Sequence, residues 1–196
     1  MNKLLKIMLA SIAALGIISS AHSFEGFSVG VSGSDATFDT DGKEHKGHKG
    51  TSETTKGSVS NDVQFGSLFG EYTFAQGSTI GIEIIPGTAS VGTKSRTHTQ
   101  TNSQNVSGTV TAKAEVSDHV TMYVEPTYMM TDTFGVYVKG GASRVTVNSL
   151  ESQTSTTIAS VYGNQDVWGV TYGVGAKAYA GNYFAKLEHV TTEYGT

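Results

Sequence analysis

Acids and bases in the middle of apolar stretches are the residues of this sequence best placed to do chemistry. Full charges of both signs stand at the centres of segments that alternate apolar and small residues: Glu71, Glu83, Glu125, Lys139, Lys177, Lys186 and Glu188. Such groups can act as general acids and bases. They can also neutralise one another in a dry interior, where a lone charge costs several kcal/mol. The secondary-structure elements that carry these residues decide between acid–base catalysis and mutual neutralisation.

A second candidate is the segment "KEHKGHKG", in which His45 and His48 lie near Asp41 and Glu44. Two histidines three residues apart could join a metal site. The surrounding glycines and lysines oppose a preorganised site, so a solvated segment without metal is the prediction. The glycine-rich "GVGAKA" at 173–178 lies in a strand-like segment with no helix after it, unlike a nucleotide-binding loop. We therefore predict no catalytic, cofactor-binding or metal-binding residues.

Composition indicates one exported domain. The chain has 196 residues, a formal charge of −4, no cysteine and 24 glycines. A charge this small gives no reason to expect a nucleic-acid partner. Without cysteine, no disulfide can stabilise the protein after export. Residues 1–23 have lysines at 3 and 6, an apolar stretch, and Ala21-His22-Ser23 as a cleavage site. They are predicted to be a signal peptide, with residues 24–196 forming the domain.

Strands with a period of two account for the rest of the chain. Segments of this kind cover about 24–38, 62–74, 79–90, 112–130, 134–147, 166–179 and 183–194. They are rich in Val, Tyr, Phe, Thr and Gly, as strands are, and no segment has a helical stripe. Long polar connections alternate with short turns such as "AQGS", "TDT" and "AGN". This alternation favours an antiparallel up-and-down barrel with its long loops at one end.

One face of every strand is apolar, while the other carries Gly, Ser, Thr and the charges. Val136 and Val138, for example, alternate with Tyr137 and Lys139. Mixed charges at strand centres, on a face crowded with glycine, suit the narrow interior of a small barrel. The apolar face is then predicted to meet lipid. A soluble barrel or sandwich, with its apolar face inward, is the alternative.

Turn lengths test this assignment. In both strands that flank Thr131-Asp132-Thr133, the apolar residues have even numbers. A three-residue turn puts these residues on the same face and places Glu125 opposite Lys139. A two-residue turn around Gly181 is predicted where the parity switches between the last two segments. Aromatic residues stand next to the short turns or, for one tryptophan, at the opposite end, as in a membrane-interface girdle. These residues are Phe74, Tyr128, Phe134, Trp168 and Tyr183.

The phrases "FGEYTF", "TIGIEIIPG" and "FGVYVKGGAS" and the whole of residues 24–196 resemble the small eight-stranded outer-membrane barrels of OmpA/OmpX type, in the porin-like, opacity-type superfamily. The resemblance implies eight strands, insertion by the outer-membrane assembly machinery, and an interior closed by charged pairs. Seven strands are predicted here, and the chain stops at "TTEYGT" without the C-terminal aromatic usual in that family. A missing last strand is therefore expected.

The function expected from this resemblance is that of a non-enzymatic outer-membrane protein of a Gram-negative cell envelope. Its polar extracellular loops would serve envelope integrity, surface interaction or adhesion. The expected partners are outer-membrane lipid, lipopolysaccharide, the assembly machinery and an unidentified surface ligand, with no cofactor. A narrow, passive, porin-like channel is the alternative function. A soluble secreted barrel that binds an apolar ligand is a third.

Overall fold

The computed structural model describes residues 5–18, 25–48, 51–100, 106–153 and 164–195, and every regular element in them is a strand. The strands are β1 (Leu5–Ile18), β2 (Gly26–His48), β3 (Thr51–Thr73), β4 (Thr79–Gln100), β5 (Val106–Glu125), β6 (Thr127–Met129), β7 (Phe134–Gln153), β8 (Gln165–Ala180) and β9 (Tyr183–Tyr194). The predicted all-β class is confirmed.

All nine strands belong to one curled antiparallel sheet, with the order β5-β4-β3-β2-β1-β9-β8-β7-β6. Pro126 separates β5 from β6, and both pair with β7, so the two are halves of one wall strand. A proline lacks the N–H that a ladder needs, which explains the break. The result is eight up-and-down antiparallel strands, seven of which come from the seven predicted segments.

The eighth wall position is occupied by β1. This strand lies between β2 and β9 and is antiparallel to both. Towards the end of β1, Leu15 is opposite Val31 on one side and Ala185 on the other. β1 comes from residues predicted to be a signal peptide. Cleavage of residues 1–23 and a further strand beyond residue 196 stay predictions.

Several strands are longer than predicted. β2 and β3 form a ladder from Gly26 opposite Thr73 to His48 opposite Thr51. β4 and β5 stay paired as far as Gln100 opposite Val106. The first two polar connections predicted as loops thus continue the strands as hairpins. Their Thr, Ser and Val residues suit extended backbone, and ladder hydrogen bonds satisfy it without an apolar core.

Both predicted turn parities are confirmed. In the first hairpin Tyr128 is opposite Val136, and the Met130 N–H donates to the Phe134 carbonyl over 2.9 Å. Only Thr131-Asp132-Thr133 then remains as the turn. In the last hairpin Ala180 is opposite Tyr183, which leaves two residues in the turn. Gly181 has φ of 61°, a left-handed conformation that glycine adopts without strain.

Cysteines at positions 128 and 136 are expected to form a disulfide, since these residues are direct cross-strand partners on the outward face. The chain has no cysteine of its own to compete. Oxidation followed by reducing and non-reducing gels measures the yield. Cysteines at 128 and 138, which are two residues out of register, are the control. More cross-linking in the control pair would show that the register is wrong.

Candidate functional site

The interior of the barrel contains the largest group of buried polar side chains in the described part of the chain. The inward positions of β7 show how it is organised: Lys139 belongs to a charged layer near the short turns, Ser143 to a hydroxyl layer, and Val145 to an apolar layer towards the long hairpins. Because strand side chains alternate, each strand contributes every second residue to this interior. All seven charges singled out from the sequence lie in the interior and are buried.

Lys186 on β9 is at the centre of the charged layer. Its Nζ donates to Glu71 Oε2 over 2.5 Å and to Glu125 Oε2 over 2.8 Å. These partners belong to β3 and β5, so one ammonium group ties together strands on different sides of the lumen. Glu125 is fully buried, and Lys186 is 4% exposed. Bulk water therefore cannot take the place of either partner.

Lys139 forms a second centre. Its Nζ donates to Glu188 Oε2 over 2.8 Å, and carboxylate oxygens of Glu83 and Glu125 lie 3.6 Å and 3.8 Å away. The predicted register of Glu125 and Lys139 is thus present, but the nearest carboxylate to Lys139 comes from β9. Pairing across the lumen depends on barrel curvature, which strand register does not contain.

Lys177 closes the charged layer at the short-turn end. Its Nζ donates to the Gly77 carbonyl over 2.7 Å and to Thr79 Oγ1 over 2.9 Å. Glu125 Oε2 is 3.9 Å from the same nitrogen. This lysine therefore links β8 to the turn between β3 and β4 and covers the lumen at that end.

Two buried tyrosines that were not singled out from the sequence complete the network. The Tyr123 hydroxyl donates to Glu71 over 3.0 Å, and the Tyr137 hydroxyl donates to Glu188 over 2.8 Å. The Lys139 ammonium lies 4.1 Å from the centre of the Tyr123 ring, a favourable cation–π distance. The sequence alone could have identified both tyrosines as inward-facing, because they have the same odd-numbered parity as the inward charges Glu125 and Lys139.

Glycines make room for these rings. A Cβ at Gly81 would lie 2.6 Å from the Tyr123 ring, and one at Gly175 would lie 2.5 Å from the Tyr137 ring. Each glycine is on the strand next to its tyrosine. The glycine content of the inward face is therefore explained partly by close approach of neighbouring rings.

Gly175→Val is expected to destabilise the fold by about 1–3 kcal/mol, the usual cost of overpacking. The added methyl groups would push Tyr137 off Glu188. Gly140→Val is the matched control, since nothing lies within 4 Å of a Cβ at that position. Urea titration in lipid vesicles measures the difference. Equal stability of the two variants would contradict the packing role of Gly175.

The hydroxyl layer crosses four strands without a charge. Thr121 bonds Ser143 at 2.7 Å, Ser143 bonds Thr171 at 2.5 Å, and Thr171 bonds Thr192 at 2.8 Å. On the other side of the lumen, Ser67 donates to Glu83 over 2.5 Å and also bonds Ser32. Both chains of hydroxyls satisfy polar atoms that would otherwise be costly to bury.

Apolar side chains fill the layer towards the long hairpins. The buried members near this end are Ala36, Phe38, Val116, Val145, Val190 and Tyr194. A small cavity of about 10 Å³, lined by Glu83, Tyr123, Lys139, Lys186, Glu188 and two others, lies within the charged layer. About one water molecule needs that much room. The charged layer is therefore filled by the side chains that form it.

On the outward face of the wall, apolar side chains replace the polar side chains of the interior. Large apolar residues are exposed on every strand whose side chains are described, including Phe27 at 72% and Met122 at 64%. The predicted interface aromatics all lie on this surface: Phe74, Tyr128, Phe134, Trp168 and Tyr183. Phe74, Tyr128, Phe134 and Tyr183 lie beside the short turns, and Trp168 lies on β8 near its start.

Polar residues replace the apolar ones towards the long hairpins. The exposed Arg144 donates to Asp166 over 2.6 Å, next to Trp168. Hydrogen bonds from the Thr146 hydroxyl and from Arg144 lower the pKa of Asp166 below its ordinary value. Asp166 therefore stays ionised at neutral pH, and the apolar surface ends below it.

No helix among the described residues is long and apolar enough to cross a membrane. The described side chains contain no group of three or more potential metal ligands. His45 and His48 are register partners of Thr54 and Thr51 in the β2–β3 hairpin, and their side chains lie outside the described part.

No family model, curated protein or solved structure matches the chain.

Proposed function

We propose that this protein is a non-enzymatic outer-membrane β-barrel, of the small OmpA/OmpX type, from a Gram-negative cell envelope. Its wall holds it in lipid, and its polar hairpins face the outside, where they serve envelope integrity, surface interaction or adhesion. Insertion would use the outer-membrane assembly machinery, and the wall would contact lipid and lipopolysaccharide.

The proposal rests on which side chains are buried: charged ones lie inside the barrel and apolar ones outside. Four glutamates and three lysines are buried, while valines, isoleucines and aromatics are exposed around the wall. A soluble barrel places these groups the other way round, because large exposed apolar patches associate or aggregate in water. In lipid the same surface is solvated, and a closed sheet satisfies its own backbone.

The height of the apolar surface fits a bilayer. Phe134, beside a short turn, and Arg144, at the polar boundary, are ten residues apart on β7. At ~3.3 Å per residue and a strand tilt of ~40°, they are separated by ~25 Å along the barrel axis. Outer-membrane barrels have an apolar band about that tall.

The filled charged layer favours a wall-and-surface role over the alternative of a passive channel. Within the charged layer there is room for about one water molecule. We infer that the charged pairs stabilise the lumen rather than guide solutes through it.

Three measurements on the full chain test this proposal. Purified protein refolded with lipid vesicles should migrate differently on gels with and without boiling, and should remain with the vesicles after a salt wash. In planar bilayers it should give little steady current. Release as a soluble monomer would contradict the membrane assignment. Steady open-channel steps would favour the passive channel.

A further inference from the structure

β1 occupies a position in the wall that has a paired strand on each side. Twelve residues of β1 pair with β2 and twelve pair with β9, and both ladders are antiparallel. The remaining wall strands pair in an unbroken series, from β2 to β5 and then through β7 and β8 to β9. Removal of β1 would therefore open one gap, between β2 and β9, in an otherwise continuous sheet.

The two sides of this gap are joined across the lumen by contacts that do not involve β1. Lys186 on β9 donates to Glu71 on β3 over 2.5 Å, so this contact spans the positions of β1 and β2. Phe184 on β9 also lies edge-to-face against Phe69 on β3, with ring centres 5.9 Å apart. Since β2 is paired with β3 along its whole length, these contacts hold β2 and β9 in place relative to each other.

Along residues 7–18, β1 adds no charge to the interior. These residues include no acid or base, and Ser11 has their one hydroxyl group. The seven interior charges lie on β3, β4, β5, β7, β8 and β9. The charged layer can therefore keep its contacts when another strand takes the position of β1.

The register defines the outward side of this position. Positions 15 and 17 are opposite Val31 and Val29, both of which are exposed on the outward face. Direct cross-strand partners share a face of the sheet, so positions 15 and 17 are outward as well. The chain has leucine and isoleucine there. A strand in this position is therefore expected to carry large apolar residues outward.

The inward side of the same position has little room. Positions 14 and 16 are opposite Lys186 and Phe184 on β9, and both of these side chains are buried. The cavity that Lys186 helps to line measures about 10 Å³, enough for one water molecule. The chain has alanine and glycine at positions 14 and 16. A strand in this position is therefore expected to carry small residues inward.

The backbone of the gap identifies the kind of molecule that fits it. Without β1, the N–H and C=O groups on one edge of β2 and on one edge of β9 would have no ladder partner. A lipid chain has no hydrogen-bonding group to offer them, and such groups are costly to leave unpaired in lipid. An extended polypeptide satisfies both edges at once, as residues 5–18 do.

We propose that the gap between β2 and β9 is a strand-acceptor site, which binds an extended, uncharged segment of a separate polypeptide. The segment carries large apolar residues outward and small residues inward, as residues 14–17 do. Backbone hydrogen bonds to both flanks give affinity, and the limited inward room gives specificity. The predicted cleavage after residue 23 falls between β1 and β2, so the strand in this site would then have no covalent link to β2. This inference rests on the proposed function, because the outward residues of the segment need lipid.

The test uses the full chain with a protease site placed between β1 and β2. The chain is cut, dissolved in urea and refolded into lipid vesicles with an excess of a peptide of residues 5–18 that carries Leu15→Cys. The peptide should form disulfides with Val31→Cys on β2 and with Ala185→Cys on β9, its two register partners. Val138→Cys, exposed on β7 away from the gap, is the control for peptide dissolved in lipid. The uncut chain should capture much less peptide, because its tethered β1 competes at a high effective concentration.

Two altered peptides separate strand binding from partition into lipid. Gly16→Phe makes the peptide more apolar and should increase its partition into lipid. Its capture should nevertheless fall at least about tenfold, because an inward ring overpacks the interior. Ile17→Phe adds a ring at an outward position and is the matched control, which should be captured like the parent peptide.

Gel migration with and without boiling shows whether the cut chain has folded. Equal capture at Val31→Cys and Val138→Cys, or equal capture of the Gly16→Phe and Ile17→Phe peptides, would mean partition into lipid and would overturn strand binding. A cut chain that folds without capturing peptide, or one that no longer folds with peptide present, would overturn the proposal too. Failure of the uncut chain to enter vesicles would overturn the membrane assignment and this inference with it, whereas failure of the cut chain alone overturns only this inference.

Discussion

Lys186→Met is expected to destabilise the folded barrel by about 3–5 kcal/mol, the usual cost of removing one partner from a buried ion pair. The change leaves Glu71 and Glu125 without their shortest cationic contact, 2.5 Å and 2.8 Å respectively. Urea titration of unfolding in lipid vesicles measures it. Arg144→Met is the control: its pair with Asp166 is exposed, and such pairs contribute about 0–1 kcal/mol.

A double variant separates charge from packing. Adding Glu125→Gln to Lys186→Met removes one of the stranded carboxylates and should restore part of the lost stability. If Lys186→Met were no more harmful than Arg144→Met, the interior network would not hold the fold together.

Val138→Arg is expected to cost about 2–4 kcal/mol, since arginine on the lipid face near the bilayer midplane carries that penalty. Val138 is 55% exposed and lies midway between Phe134 and Arg144, the two ends of the apolar surface on β7. Asp132→Arg in the exposed short turn is the control, with an expected cost of about 0–1 kcal/mol near the interface.

The sign of the Val138→Arg effect discriminates between the two environments. In water an exposed valine replaced by arginine would leave stability unchanged and would raise solubility. The measurement is the urea midpoint in vesicles together with the yield of folded protein. A variant that folds better without lipid than the parent chain would contradict the membrane assignment.

Much of the fold could be predicted because its determinants are local. Alternation along β7 distinguishes Val138 from Lys139, and the number of residues in a turn sets the register of its hairpin. The six wall strands joined in pairs by short turns follow from these rules. The hairpin extensions could not be predicted, because a sequence rich in Ser and Thr suits both a loop and a ladder exposed to water.

The contacts across the lumen could be predicted only in part. Parity identifies which charges point inward, but the choice of Glu188 as the nearest partner of Lys139 depends on the diameter and shear of the closed sheet. The roles of Tyr123 and Tyr137 depend on glycines in neighbouring strands, so they follow from pairing rather than from composition. The occupation of the eighth wall position by β1 had no signal in the period of two, since residues 7–18 are apolar or small without alternation between apolar and polar.

The long chain separation within the charged layer has a consequence for the order of assembly. The contact between Lys186 and Glu71 joins residues 115 positions apart, and that between Lys186 and Glu125 joins residues 61 apart. The hairpins closed by short turns need much smaller loops and form sooner. Until β9 reaches its place, the inward carboxylates have to stay hydrated. The charged layer therefore favours an assembly route in which the wall curls in a wet environment and expels its water only when the last strands arrive.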